Sequence, residues 1–284
     1  MEHVEGFVTS TVFWDADFAD RLLRATRLVW IQVLNAGFDN MERLGVPERV
    51  TVSTLGDIGS AVVAEHALAL LLALLRGLPA AVEAQRASAW NAGRVARAAR
   101  TLHGLAVAVV GFGHIGQKVA ALAAAFGARI VAFARTARAG PDGIEVRTLD
   151  ALRALLPEVD AVVICAPLNA ATARLIDRAA FAAMRRGSYL VNVARGPIVD
   201  TPALIEALRR GILAGAALDV VDPEPLPASH PLWTLPNVLL TPHTAWAGSG
   251  SGETRRLEAL VVENVRRFAR GEAVLNVASM QRAG

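Results

Sequence analysis

One stretch limits what this chain can fold into more than any other. Residues 105–110, Leu-Ala-Val-Ala-Val-Val, are an apolar run of strand length, and Gly111-Phe112-Gly113-His114-Ile115-Gly116 follows at once. Gln117 to Phe126 then places Val119, Leu122, Ala123 and Phe126 on one helical face. Arg129 to Phe133 is a second apolar run and closes a strand–helix–strand unit. Each glycine has a steric task in such a unit. Gly111 makes the tight turn, Gly113 lets backbone approach a pyrophosphate, and Gly116 lets the helix lie close on the strand. His114, Ile115 and the helix start offer free N–H groups and a positive dipole end to phosphate. Gly-rich turns are common, and a βα turn without a ligand is the alternative. The order strand, motif, helix, strand is what argues for a bound dinucleotide.

The same alternation runs through the rest of the chain. Gly6 to Thr9, Leu28 to Leu34 and Val50 to Leu55 read as strands, with a helix at Asp17 to Ala25. Ser60 is placed to cap a helix from Ala61 to Arg76, which Gly77-Leu78-Pro79 ends. That helix is apolar nearly all round, so it should be buried between layers or in an interface. Arg86 to His103 is polar and Arg-rich, and its Trp90 is expected to pack. Beyond the dinucleotide unit, strands are expected at Ala161 to Cys165, Tyr189 to Val193, Gly215 to Val220 and Asn237 to Thr241. Thr201-Pro202 should open a helix as N-cap and first residue, and Gly211 should close it. Arg255 to Arg270 is a closing helix, and Val274 to Val277 a final extended segment. Strands alternating with helices predict parallel sheets in an α/β protein.

Composition excludes several classes. Hydrophobic residues make up 54% and charged residues 19%, which argues against disorder. The net charge is +3, Lys118 is the only lysine, and the arginines are scattered, so nucleic-acid binding has little support. The most apolar stretch, Ala67 to Leu75, is too short to span a bilayer, and the acidic N-terminus lacks a signal-peptide pattern, so neither a membrane nor an export signal is read. Cys165 is the only cysteine, compatible with a reducing cytoplasm, and no metal-ligand spacing accompanies it.

Arg195, Glu224 and His243 each lie just past the carboxyl end of an expected strand, as does the glycine loop. In an open parallel sheet those ends form one edge, where ligands bind. Arg195 can hold a carboxylate by two hydrogen bonds and polarise an adjacent carbonyl. His243 can donate or accept a proton near neutrality. Glu224 beside it would favour the imidazolium. With a nicotinamide hydride, these groups suit reduction of a 2-keto acid. Singly, each has a plainer reading, as a solvated or structural residue; their arrival at one edge is what favours chemistry. Ala166, Pro167 and Val193, at the ends of neighbouring strands, join the candidate cofactor site.

The runs Leu190 to Asp200, Ala217 to Val220 through Glu224-Pro225-Leu226-Pro227, and Asn237 to Trp246 resemble the signature motifs of the D-isomer-specific 2-hydroxyacid dehydrogenases. Val63-Ala64-Glu65-His66 and the glycine loop fit as well. The resemblance implies Arg195 as substrate binder, His243 as acid/base and Glu224 as its partner. It implies that Asp219 contacts the nicotinamide carboxamide, and that the loop Asn35-Ala36-Gly37 offers backbone N–H groups to the substrate carboxylate. Related formate dehydrogenases carry Gln in place of Glu224, which argues against formate. The implied fold is two doubly wound α/β domains with the site in the cleft. A Rossmann-type cofactor domain would span residues 63–245. A smaller flavodoxin-like substrate domain would combine residues 1–62 and 246–284. Members of such a family carry roughly fifty more residues ahead of Glu5, so this domain is expected to be N-terminally truncated, with an apolar sheet edge exposed. The apolar helix and the segment to His103 are expected to pair in a homodimer. The expected reaction is reduction of a glyoxylate- or hydroxypyruvate-type 2-keto acid, with no metal. The alternative is a nucleotide-sensing binding protein like the corepressors that share the fold.

Cofactor choice depends on the end of the second strand. An acidic residue there accepts hydrogen bonds from the ribose 2′-OH in NAD sites. Here the position is Ala134, followed by Arg135-Thr136-Ala137-Arg138. Arg135 and Arg138 would pair with a 2′-phosphate and Thr136 would add a hydrogen bond, so NADP is expected over NAD.

Overall fold

The computed structural model describes residues 4–11, 14–35, 37–246 and 251–278 of the chain. The chain divides into two compact units, Met1–Gly59 with Gly248–Gly284, and Ser60–Ala247.

The first unit begins with strand β1 (Gly6–Thr9), helix α1 (Ala16–Leu23), strand β2 (Trp30–Val33), helix α2 (Asp39–Leu44) and strand β3 (Thr51–Ser53). The strands are parallel and lie in the order β1-β2-β3. Asp15 caps α1 by accepting a hydrogen bond from the Phe18 N–H. All of β2 is buried, because helices and strands cover it on both sides: Leu22, Leu28, Ile31, Val33, Met41 and Val52 share one core.

The second unit opens with helices α3 (Ser60–Leu75), α4 (Leu78–Arg86) and α5 (Ala92–Ala98). Strand β4 (Ala106–Val110), helix α6 (His114–Ala125) and strand β5 (Arg129–Ala134) form the glycine-motif unit. Short strands β6 (Arg138–Ala139) and β7 (Glu145–Thr148) lead to α7 (Leu152–Leu155) and β8 (Ala161–Ile164). Then come α8 (Arg178–Ala183), β9 (Ser188–Asn192), α9 (Thr201–Arg209), β10 (Leu213–Leu218) and β11 (Val238–Leu240). The eight strands lie in the order β11-β10-β9-β8-β4-β5-β7-β6, all parallel except β6. The chain moves outward from β4 through β5 and β7, then returns to β8 on β4's other side, the reversal that defines a doubly wound sheet.

Both faces of this sheet are covered. Val107 and Val109 of β4 pack with α3 and α6, while Ala106, Ala108 and Val110 pack with α7, α8 and α9. Successive side chains point to opposite faces, so a strand buried on both faces must be apolar throughout. That is why the motif strand reads as an unbroken apolar run.

The last helix, α10 (Ser251–Ala269), returns to the first unit. Phe268 stacks on Trp30 at 4.9 Å between ring centres. Buried Asn264 donates to Gln32 Oε1 at 2.7 Å and accepts from the Leu275 N–H at 2.7 Å. Val277 then forms an antiparallel bridge with Ser53.

Several local expectations need correction. The motif helix starts at His114, not Gln117, because Gly113 is its extended N-cap. Thr201 is the first residue of α9; the cap is Asp200, whose carboxylate accepts from the Ala203 N–H at 3.0 Å. Ser60 lies inside α3. Leu78-Pro79 does not merely end α3: Gly77, at φ +65°, turns the chain and proline begins α4. Of the two covers expected for the apolar helix α3, layers of its own unit or an interface, the structure supplies the first, in α6 and strands β9 and β10. Trp90 is fully exposed rather than packed. No single helix among the described residues is long and apolar enough to cross a membrane.

Candidate active site

Because the strands run parallel, their carboxyl ends share one edge. That edge carries Gly111 after β4, Ala134 at the end of β5, Cys165-Ala166-Pro167 after β8, Val193-Ala194-Arg195 after β9, Asp219 after β10 and Thr241-Pro242-His243 after β11. The sheet thus puts the glycine loop, Arg195 and His243 on one edge, and Glu224 joins it through its contact with His243.

The glycine loop has the form a dinucleotide needs. Gly111 has φ +96°, and a Cβ on it would sit 2.4 Å from the Ala166 backbone nitrogen. A Cβ on Gly116 would sit 2.0 Å from the Gly111 carbonyl oxygen, so α6 can lie this close only without a side chain there. At Gly113 the opposite holds: nothing lies within 4 Å of the Cβ position. The open space at Gly113, in front of the first N–H groups of α6, is a cradle that a side chain would fill and a phosphate fits. His114 and Ile115 form the first turn of α6. Ala166 and Val193 are buried beside the loop and Pro167 is exposed.

Past Ala134, Arg135 and Thr136 are exposed. Arg138 is exposed as well, but it sits in β6, paired with β7, and its Nη2 donates to the Phe112 carbonyl at 2.8 Å. Its guanidinium is therefore tied to the glycine loop, where the sequence suggested a 2′-phosphate partner.

Two of the three catalytic candidates are brought together as a pair. His243 Nδ1 lies 2.5 Å from Glu224 Oε1, with both side chains partly open to solvent. Arg195 sits half-buried on a turn held by Asn192, whose side chain donates to the Arg195 carbonyl at 2.9 Å and accepts from the Ala194 N–H at 3.0 Å. A Cβ on Gly196 would lie 1.9 Å from the Val221 carbonyl oxygen. Glycine at this position lets the Arg195 turn touch the segment that leads to Glu224. Asn192 and Gly196 were not singled out for this role in the sequence; the Asn192-Val193-Ala194-Arg195-Gly196 spacing holds the signal.

Asp219 is more enclosed than its implied carboxamide contact requires, with a side chain 1% exposed. Its Oδ1 accepts from the Thr241 hydroxyl at 2.6 Å and the Thr244 N–H at 2.9 Å, and its Oδ2 accepts from the Ala245 N–H at 3.0 Å. Its own carbonyl accepts from the His243 N–H at 2.8 Å. Asp219 therefore organises the turn on which His243 sits. Cys165 is half-buried, and loss of water around the sulfur pushes its thiol up to about 12, which suits packing and not nucleophilic chemistry.

Asn35 and Gly37 belong to the first unit. The Asn35 side chain accepts from the Thr11 N–H at 2.8 Å and donates to the Thr11 hydroxyl and the Gly37 carbonyl, so it shapes its own loop. Ala36 lies outside the described residues.

A doubly wound sheet with a phosphate cradle at its switch point, and an arginine and an imidazole–carboxylate pair on the same edge, defines a nicotinamide-dependent oxidoreductase. The family model described as D-isomer specific 2-hydroxyacid dehydrogenase, NAD binding domain, matches residues 68–245, and the chain belongs to that family. It is 36% identical over 258 residues to a glyoxylate reductase of Pyrococcus furiosus, covering 87% of this chain and 75% of that protein. It is 35% identical to a glyoxylate reductase of Aeropyrum pernix, covering 95% of this chain and 82% of that protein. Among solved structures, a D-isomer specific 2-hydroxyacid dehydrogenase from Xanthobacter autotrophicus Py2 in complex with NADPH and MES is 35% identical. It superposes with a TM-score of 0.79 over 92% of this chain and 80% of its own. A nicotinamide dinucleotide is thus the cofactor, and the family acts on small 2-hydroxy and 2-keto acids.

Proposed function

We propose that the protein reduces a small 2-keto acid of the glyoxylate or hydroxypyruvate kind to the D-2-hydroxy acid, with His243 as general acid and NADPH as the preferred reductant. The observation that carries this reading is the 2.5 Å contact between His243 Nδ1 and Glu224 Oε1 on the strand edge that holds the phosphate cradle.

The reduced nicotinamide supplies a hydride, two electrons with one hydrogen, to the keto carbon. The Arg195 guanidinium holds the substrate carboxylate by two hydrogen bonds and draws electron density from the neighbouring carbonyl. Glu224 keeps the imidazole oriented through Nδ1, which leaves Nε2–H as the donor. That proton passes to the carbonyl oxygen as the C=O bond opens, so the product is the neutral alcohol. The enclosed Asp219 carboxylate spends its hydrogen bonds on Thr241, Thr244 and Ala245, and its task is to hold the His243 turn.

Three features support NADPH. Ala134 presents no carboxylate to repel a 2′-phosphate, Arg135 and Thr136 are exposed just beyond it, and the Xanthobacter relative was solved with NADPH. A homodimer is part of the same reading; exposed Leu78, Val82 and Trp90 support it, and a monomer by light scattering would remove it.

The decisive experiment is a panel of 2-keto acids assayed with NADPH and with NADH. Turnover of glyoxylate or hydroxypyruvate is expected. Nucleotide binding with no turnover of any substrate would overturn the enzyme and leave a nucleotide-sensing binding protein.

A further inference from the structure

His66 lies on α3, outside the catalytic set described above. Its Nε2 is 3.1 Å from the Thr241 hydroxyl oxygen and 3.3 Å from Asp219 Oδ1. Thr241 has one hydroxyl proton, and the 2.6 Å contact with Asp219 Oδ1 takes it. The Thr241 oxygen can therefore only accept from His66, so His66 Nε2 must bear a proton. This assignment follows from the hydrogen-bond pattern.

The same network reaches the proton donor. The Asp219 carboxylate is almost fully enclosed and is satisfied by the Thr241 hydroxyl, the Thr244 and Ala245 N–H groups and the His66 Nε2–H. His243, between Thr241 and Thr244, has φ +54°, the left-handed region that disfavours a residue with a side chain. A turn in that conformation needs its ends held, and the Asp219 carboxylate holds both.

We infer that His66 is a positioning residue for the proton transfer. Through the Thr241 hydroxyl and the Asp219 carboxylate it fixes the turn that carries His243. Without the His66 N–H, the Thr241 oxygen loses its donor and the buried carboxylate keeps three of its four donors. The turn then gains alternatives, and the His243 imidazole spends less time against Glu224. The inference rests on the reading of His243 as general acid.

Because the network acts on the geometry of the chemical step, His66→Ala should lower kcat roughly 10- to 100-fold, the size of one lost charge-assisted hydrogen bond. KM for the 2-keto acid and Kd for the nucleotide should stay within about threefold. His66→Gln keeps an N–H near the Nε2 position and should recover most of the loss. Thr241→Val removes the hydroxyl at nearly constant shape and should reproduce the His66→Ala effect. The double variant should be no worse than either single one, because both break the same link. An unchanged kcat in His66→Ala, a Gln variant no better than Ala, or losses that multiply in the double variant would each overturn the inference. If His66→Ala does not fold, Thr241→Val and His66→Gln carry the comparison. His243→Ala, measured alongside, separates the two readings. If it keeps turnover, the general-acid assignment falls. If it is inactive while the His66 and Thr241 losses multiply, only the positioning role falls.

Discussion

At the scale of single residues, the proposed proton transfer turns on the contact between His243 and Glu224. Glu224→Gln keeps the shape of the pair and removes its charge, so kcat should fall while nucleotide binding survives; an unchanged kcat would show that the pair does not work together. His243→Ala should lose at least about 100-fold in turnover while nucleotide binding survives. The two arginines beyond Ala134 should behave differently. Arg135→Ala should weaken NADPH by about one to two decades and leave NADH nearly unchanged, as expected for a phosphate contact. Arg138, tied to the Phe112 carbonyl of the glycine loop, should weaken both coenzymes when replaced by Ala. Ratios of kcat/KM for the two coenzymes separate these cases. A wild type that prefers NADH would remove the NADP assignment. The placement of Arg195, Glu224 and His243 past the strand ends was legible because each follows a strand, and parallel strands end together. What Arg138 and Asp219 touch was not legible, because side-chain partners across a sheet edge leave no local spacing.

At the scale of elements, apolar runs bounded by glycine or proline located nine of the eleven strands among the described residues, since a strand buried on both faces admits little else; the short, partly exposed β6 and β7 carry no such run. Helix ends were less legible. A threonine followed by proline resembles a cap, yet Asp200 one residue earlier takes the Ala203 N–H. Asp200→Ala should therefore cost about 1 kcal/mol and lower Tm by about 2–4 °C, while Thr201→Ala should cost far less; thermal melts of the two variants decide. Helices α4 and α5 were missed because their sequences are short, Arg-rich and weakly patterned, and because Leu78-Pro79 reads equally as a stop or as a first turn.

At the scale of the whole molecule, a nucleotide that binds only the folded protein stabilises it by mass action. At 100 times Kd this is about 2.7 kcal/mol, or roughly 5–10 °C in Tm for a unit of this size. The larger shift should come from NADPH. Alkaline pH acts in the other direction. In the folded chain the Cys165 thiol holds its proton up to about 12, against an ordinary value of 9.0, so above pH 9 the unfolded chain ionises first and stability falls as pH rises. At neutral pH the native thiol should resist alkylation by iodoacetamide and react only after unfolding, which mass spectrometry of the intact protein reads directly. The division into two units has a consequence in time as well as in space. Strands β1 to β3 are made first, but the partner that buries Gln32 is Asn264, and the segment that bridges Ser53 is at Val277. A chain emerging from the ribosome can complete residues 60–247 while its earliest strands still wait for their cover. The unit that holds β1 to β3 thus closes only when residues 264–277 arrive, and until then its short parallel sheet keeps unpaired edges.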